Sequence, residues 1–334
     1  MTRTHELEAR VGALVKGWRT GARLQSLRPL IGGSSSLTFV AEVGSPDRGT
    51  ERIVVKVAPP GLEPVRNRDV LRQARLLRGL HGHPGVTVPI VLFEDAGTPV
   101  DIPPLFAMTF LEGESVEPNI DQDVEGNLPP PAVLTERAHS AARVLAALHS
   151  VEPEKAGFAD EPVVSAADEI ERWAKALATV PTEVLGGRDD CADRLRESLP
   201  EAVPSRLIHG DFRLGNCLAV GSEVRAVIDW EIWARSDPRI DLAWFLIIAD
   251  PTHPSAQRRA VGMPAPHELL DAYLAAGGPA APELQWFTAL MLYKLTAVCG
   301  LIAKNAIKRG DRAALGTVAA VPAMLARARE VIVR

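Results

Sequence analysis

Apolar positions fall at helical spacing from the start of the chain. Leu7, Val11, Leu14, Val15 and Trp18 share one face and predict an amphipathic helix over residues 4–18. Residues 27–43 and 52–58 read as strands around the turn Gly44-Ser45-Pro46-Asp47-Arg48-Gly49, so a hairpin or meander is expected. Over residues 69–80, Val70, Leu71, Ala74, Leu77 and Leu80 again take helical spacing, and His81-Gly82-His83-Pro84-Gly85 ends the helix. Two short apolar segments, 86–93 and 105–111, follow as strands. The first third therefore reads as strands, one helix, strands.

Beyond Gly113 the pattern changes. A proline-rich acidic stretch over 114–131 leads into a helical segment at 134–149, and further helices are expected at 166–180 and 189–199. Short strands at 206–209 and 224–229 flank a polar loop. Helices at 241–248, 267–276, 282–306 and 312–329 complete the chain, which contains no internal repeat. The expected architecture is α+β and bilobal: a small antiparallel-sheet N-lobe over residues 1–109 and a larger, mainly helical C-lobe over 110–334.

Composition narrows the function classes. With 46% hydrophobic and 24% charged residues the chain is of globular type. The net charge of -5 and the lack of a long Lys/Arg run give no electrostatic footprint for nucleic acid. Cys191, Cys217 and Cys299 form no CxxC pair, which suits a reducing compartment. The N-terminal stretch lacks the apolar core of a signal peptide. The apolar run at 242–249 is far shorter than the roughly 20 residues of a membrane span. A cytoplasmic protein with no membrane or nucleic-acid partner is expected.

Chemistry concentrates in His209-Gly210-Asp211-Phe212-Arg213-Leu214-Gly215-Asn216. This loop carries a carboxylate, a cation and an amide between glycines, and Asp229 follows at the end of an apolar strand, Ala226-Val227-Ile228-Asp229. Phosphoryl transfer asks for a carboxylate near the attacking hydroxyl, oxygen ligands for magnesium and a cation near the moving phosphate.

These two segments, with the stretch from Trp230 to Trp244, resemble the aminoglycoside phosphotransferase family of the protein-kinase-like fold. They are similar in particular to the kinase-like domains found with acyl-CoA dehydrogenases. The resemblance implies ATP and Mg2+ as cofactors and a small-molecule hydroxyl as acceptor. It assigns proton acceptance to Asp211, a cation at the γ-phosphate to Arg213, and magnesium to Asn216 and Asp229. His209 and His149 are read as structural, and Asp237 and Asp241 as braces of the loop.

Upstream, the loop containing Gly32, Gly33, Ser34 and Ser35 offers backbone amides and hydroxyls to phosphates. Lys56 interrupts the apolar strand Ile53-Val54-Val55-Lys56-Val57, a costly placement for an ammonium without an anionic partner. By resemblance, Lys56 reaches the α- and β-phosphates, the Thr109 carbonyl and Leu111 amide meet adenine, and Met108 lines the pocket. The sequence departs from the kinase pattern at Gln73, which stands where the lysine's usual glutamate belongs; Asp69, one turn earlier, is the alternative partner. That departure motivates a second reading, a nucleotide-binding, pseudokinase-like regulator with little turnover. A protein kinase would need an activation segment, which residues 230–240 do not show.

Acceptor signals are mixed. Residues 151–205 hold 13 acidic and 6 basic residues, suiting a polycation, whereas 251–334 hold 10 basic and 5 acidic, suiting an anion such as a hydroxyacyl-CoA.

Overall fold

The pleat of one strand sets up the first half of the protein. In the computed structural model, which describes residues 2–30, 36–119, 128–185, 190–252, 260–310 and 315–332, the strands are β1 (Arg23–Pro29), β2 (Leu37–Ser45), β3 (Gly49–Val57), β4 (Val91–Asp95) and β5 (Leu105–Thr109). They form an antiparallel sheet in the order β1-β2-β3-β5-β4. Alternation along β3 sends Ile53, Val55 and Val57 to a core shared with Val11 and Val15 of helix α1 (Thr2–Trp18). Lys56 is therefore turned to the opposite face, where helix α2 (Val70–Leu80) supplies Gln73.

Two strand expectations are corrected. The run 27–43 is not one strand but two that pair antiparallel, Arg28 opposite Val40, with the Leu30 amide still donating to the Thr38 carbonyl at 2.8 Å past the end of β1. The segment 86–93 becomes a strand only from Val91. The turn expected at 44–49 is present, with Ser45 opposite Gly49.

Residues 1–113 and 226–232 form one compact unit; 114–225 and 233–334 form the other. The first unit thus runs past residue 109 and includes the stretch around Asp229. Hydrogen bonding explains the second addition, since the Val227 amide donates to the Thr87 carbonyl at 3.1 Å.

The second unit contains helices α3 (Pro131–Ser150), α4 (Ala166–Leu177), α5 (Thr182–Leu185), α6 (Cys191–Glu197), α7 (Pro238–Ala249), α8 (Pro266–Ala275), α9 (Leu284–Arg309) and α10 (Leu315–Ile332). It also holds β6 (Val163–Val164), β7 (Arg206–Ile208), β8 (Cys217–Val220) and β10 (Ala234–Ser236). Strand β9 (Glu223–Val227) runs across the division into the first unit. Strand β10 lies between β6 and β7, antiparallel to β7. Helix α7 is buried at all 12 positions, starting earlier than the pattern suggested because Asp237 caps it and Pro238 takes its first turn. Helix α9 is long and apolar enough to cross a bilayer by length and composition, but 78% of that window is buried inside the protein. It is a core helix, and Phe287, Leu290 and Tyr293 pack there fully buried.

Candidate active site

In the second unit, β7 delivers the chain to His209 and Gly210. Gly210 has a φ of +85°, a conformation open to glycine and strained for other residues, so the chain can turn sharply before Asp211. One buried carboxylate holds this turn. Asp241, one turn into α7, accepts the amides of both His209 and Gly210, the latter at 2.7 Å. His149 Nε2 faces the same carboxylate at 3.7 Å, and its Nδ1 meets the Tyr273 hydroxyl at 2.8 Å. Burial opposes ionisation of Asp241, but the neighbouring His149 ring, with the charge and amide of His209, outweighs it and holds Asp241 below the usual carboxylate range. Burial, then the Asp241 charge, pushes the Tyr273 hydroxyl up.

The Asp211 carboxylate is held from both sides. Trp244 Nε1 donates to Oδ1 at 2.8 Å, and Asn216 Nδ2 donates to Oδ2 at 3.0 Å and to the Asp211 carbonyl at 2.8 Å. Because both Nδ2 bonds go to Asp211, the Asn216 side-chain oxygen is left as its acceptor atom. Arg213 lies 3.4 Å from Asp211 Oδ2 and 3.5 Å from Glu117 Oε2. Burial works against the guanidinium charge, but Asp211 and Glu117 more than offset it and raise its pKa. Glu117 is itself 1% exposed and also accepts the Gly215 amide at 3.0 Å, tying the loop to the segment before α3.

Three residues here escaped the sequence reading: Glu117, Trp244 and Lys294. Lys294, in α9, is 5% exposed; its Nζ donates to the Gly210 carbonyl at 2.6 Å and lies 4.1 Å from the centre of the Trp244 ring. Burial pushes the Lys294 ammonium down, against the charges of Asp211, Glu169 and Asp241. The signal was available, since Lys294 interrupts an apolar helix as Lys56 interrupts an apolar strand. Trp244 and Glu117 carried no comparable local signal.

The first unit holds the other cluster. Lys56, 7% exposed, lies 3.1 Å from Asp229 Oδ1 and 3.3 Å from Gln73 Oε1. Asp229 adopts a φ of +64°, uncommon for a residue with a side chain and of the kind stored at functional sites. Met108 and Phe106 on β5 line a pocket with Lys56, Gln73, Asp229 and Trp230. The Thr109 amide donates to the Ile90 carbonyl at 2.9 Å, and its hydroxyl accepts the Ile90 amide. Leu111 follows just past the end of β5. Asp69 is not the lysine's partner: it caps α2, accepting the Arg72 amide at 3.0 Å, and Gln73 takes the position beside Lys56. Gly32, Gly33, Ser34 and Ser35 lie outside the described residues. Among the described residues, no three His, Cys, Asp or Glu side chains gather as a metal cage.

Sheet, helical unit and loop define a protein-kinase-like phosphotransferase fold. A Ralstonia eutropha protein provisionally assigned as an aminoglycoside phosphotransferase shares it with a TM-score of 0.77 at 22% identity, over 98% of each chain. An aminoglycoside phosphotransferase solved with GDP and kanamycin gives a TM-score of 0.63 at 14% identity, over 96% of this chain and 98% of that one. Residues 26–287 match the model of the phosphotransferase enzyme family, and the chain belongs to that family. It is also 28% identical, over 298 residues, to the Arabidopsis thaliana protein named Probable acyl-CoA dehydrogenase IBR3. That match takes in 80% of this chain but 34% of the longer relative, so the chain spans about a third of it.

Proposed function

We propose that this protein is a cytoplasmic, ATP- and Mg2+-dependent kinase that transfers the γ-phosphate to a hydroxyl of a small metabolite. The observation that carries the reading is the Asp211 carboxylate, fixed by Trp244 and Asn216 and still 29% exposed at its side chain, as a proton acceptor must be. In this scheme Asp211 takes the proton of the acceptor hydroxyl as its oxygen bonds to the γ-phosphorus. The bond from phosphorus to the bridging oxygen breaks, and ADP leaves with the electron pair. Lys56 holds the α- and β-phosphates, and Arg213 stands near the transferred group with its charge steadied by Glu117. Met108, Thr109 and Leu111 serve the adenine.

Asn216 and Asp229 suit magnesium: each offers a hard oxygen, and Mg2+ is commonly held by one or two such groups together with substrate phosphates. When bound, the ion neutralises charge developing between the β- and γ-phosphates. Kinship to a protein named as an acyl-CoA dehydrogenase supports a hydroxyacyl thioester or related metabolite over an aminoglycoside. The test is ADP release from MgATP across a panel of hydroxyacyl-CoA esters, sugars and aminoglycosides. One class should raise turnover well above an Asp211→Ala background. If none does while MgATP still binds, the kinase reading fails. The second reading, a nucleotide-binding regulator, then stands; the neutral Gln73 beside Lys56 is the observation that favours it.

A further inference from the structure

Gln73 places an amide where a second carboxylate would balance Lys56, and its orientation follows from chemistry. An ammonium has only donors, so the Gln73 oxygen must face Lys56 and the amide nitrogen must face away. Nε2 is accordingly buried without a hydrogen-bond partner, on a side chain 2% exposed that lines the same pocket as Lys56 and Asp229. A buried donor in that state is costly until an acceptor arrives. Among the described residues, Asp229 is the one carboxylate within ion-pair distance of Lys56.

We propose that Gln73 couples the binding of the metal ion and the nucleotide in this pocket. The inference rests on the reading that Asp229 binds the metal and Lys56 the phosphates. A metal ion arriving alone at Asp229 would draw the carboxylate from Lys56 and leave a buried ammonium facing a neutral amide. Nucleotide arriving alone would have to share Lys56 with Asp229. Together, the metal satisfies Asp229, the polyphosphate satisfies Lys56, and Gln73 Nε2 gains a phosphate oxygen as acceptor. A glutamate at this position would keep Lys56 neutralised throughout and let the metal load first. Gln73 is thus a positioning residue that sets the order and coupling of ligand binding.

Equilibrium binding tests this without turnover. Mn2+ alone, followed by its paramagnetic signal, and a non-hydrolysable ATP analogue with and without Mn2+ give the coupling factor, which must be the same read from either ligand. For the natural protein the analogue should tighten Mn2+ binding by about 10- to 100-fold. Gln73→Glu should bind Mn2+ alone about tenfold more tightly and reduce the coupling by a similar factor. Gln73→Met supplies no carboxylate, so it should keep the coupling while losing a few-fold in analogue affinity with metal present.

Coupling in Gln73→Glu within twofold of the natural protein overturns the proposal. If Gln73→Glu does not fold, the natural protein still decides: Mn2+ bound equally well with and without analogue refutes it. If the analogue does not bind under any condition, the phosphotransferase reading falls with it. If the analogue binds and only the coupling is missing, that reading survives and this one does not.

Discussion

Lys294 shows how one side chain reaches the loop that carries Asp211 from a distant part of the sequence. It donates to Gly210, stacks on Trp244, and Trp244 in turn holds Asp211. Burial disfavours the Lys294 charge, so Lys294→Met trades that cost against the lost bond to the Gly210 carbonyl and should change the melting temperature little, while a misplaced Asp211 lowers turnover by about 100-fold. Calorimetry beside steady-state kinetics separates the two effects. If stability falls and turnover per folded molecule does not, the lysine is structural only. Asp241 governs the same loop through its charge. Its folded pKa lies below the ordinary 3.8, so its contribution is fully present above that value and is lost as pH falls through the depressed folded value. Asp241→Asn should lower stability at pH 7 by about 3–5 kcal/mol. The gap to the natural protein should narrow as denaturation is followed below the usual carboxylate range.

At the scale of elements, local chemistry and distant packing contribute differently. Helix α4 begins with a capping box in which Ser165 and Asp168 satisfy one another's amides. Ser165→Ala should cost about 1 kcal/mol in urea unfolding and leave nucleotide binding unchanged. Gly278, past α8, matters through a neighbour: a Cβ there would lie 2.5 Å from the Tyr273 ring. Gly278→Ala should cost about 1–3 kcal/mol and, by shifting Tyr273, weaken its hydrogen bond to His149 behind Asp241; the melting temperature and turnover should fall together. Helices α1, α2 and α4 were legible because each has an apolar stripe of its own. Strands β6 and β10 were not, since two or three residues carry no period and are extended only because β7 and its neighbours pair with them.

For the whole molecule, binding of the co-ligands should appear as stability. At a concentration of MgATP about 100 times its dissociation constant, ligand linkage adds about 2.7 kcal/mol, and EDTA should reverse the rise in melting temperature. A thermal shift insensitive to EDTA would contradict the assignment of magnesium to this site. The sequence by itself determined the class of fold and the chemical content of the loop, because periodicity is local and His209 to Asn216 lie side by side along the chain. It also exposed Gln73 as a departure, since residue type alone shows the missing charge. Tertiary structure alone decided which partner each group has: Asp69 as a cap, Gln73 beside Lys56, Trp244 and Asn216 on Asp211, and Lys294 on Gly210. Those pairings join residues separated by up to 84 positions. They arise from burial, which forces each enclosed polar group to find a partner wherever the folded chain provides one.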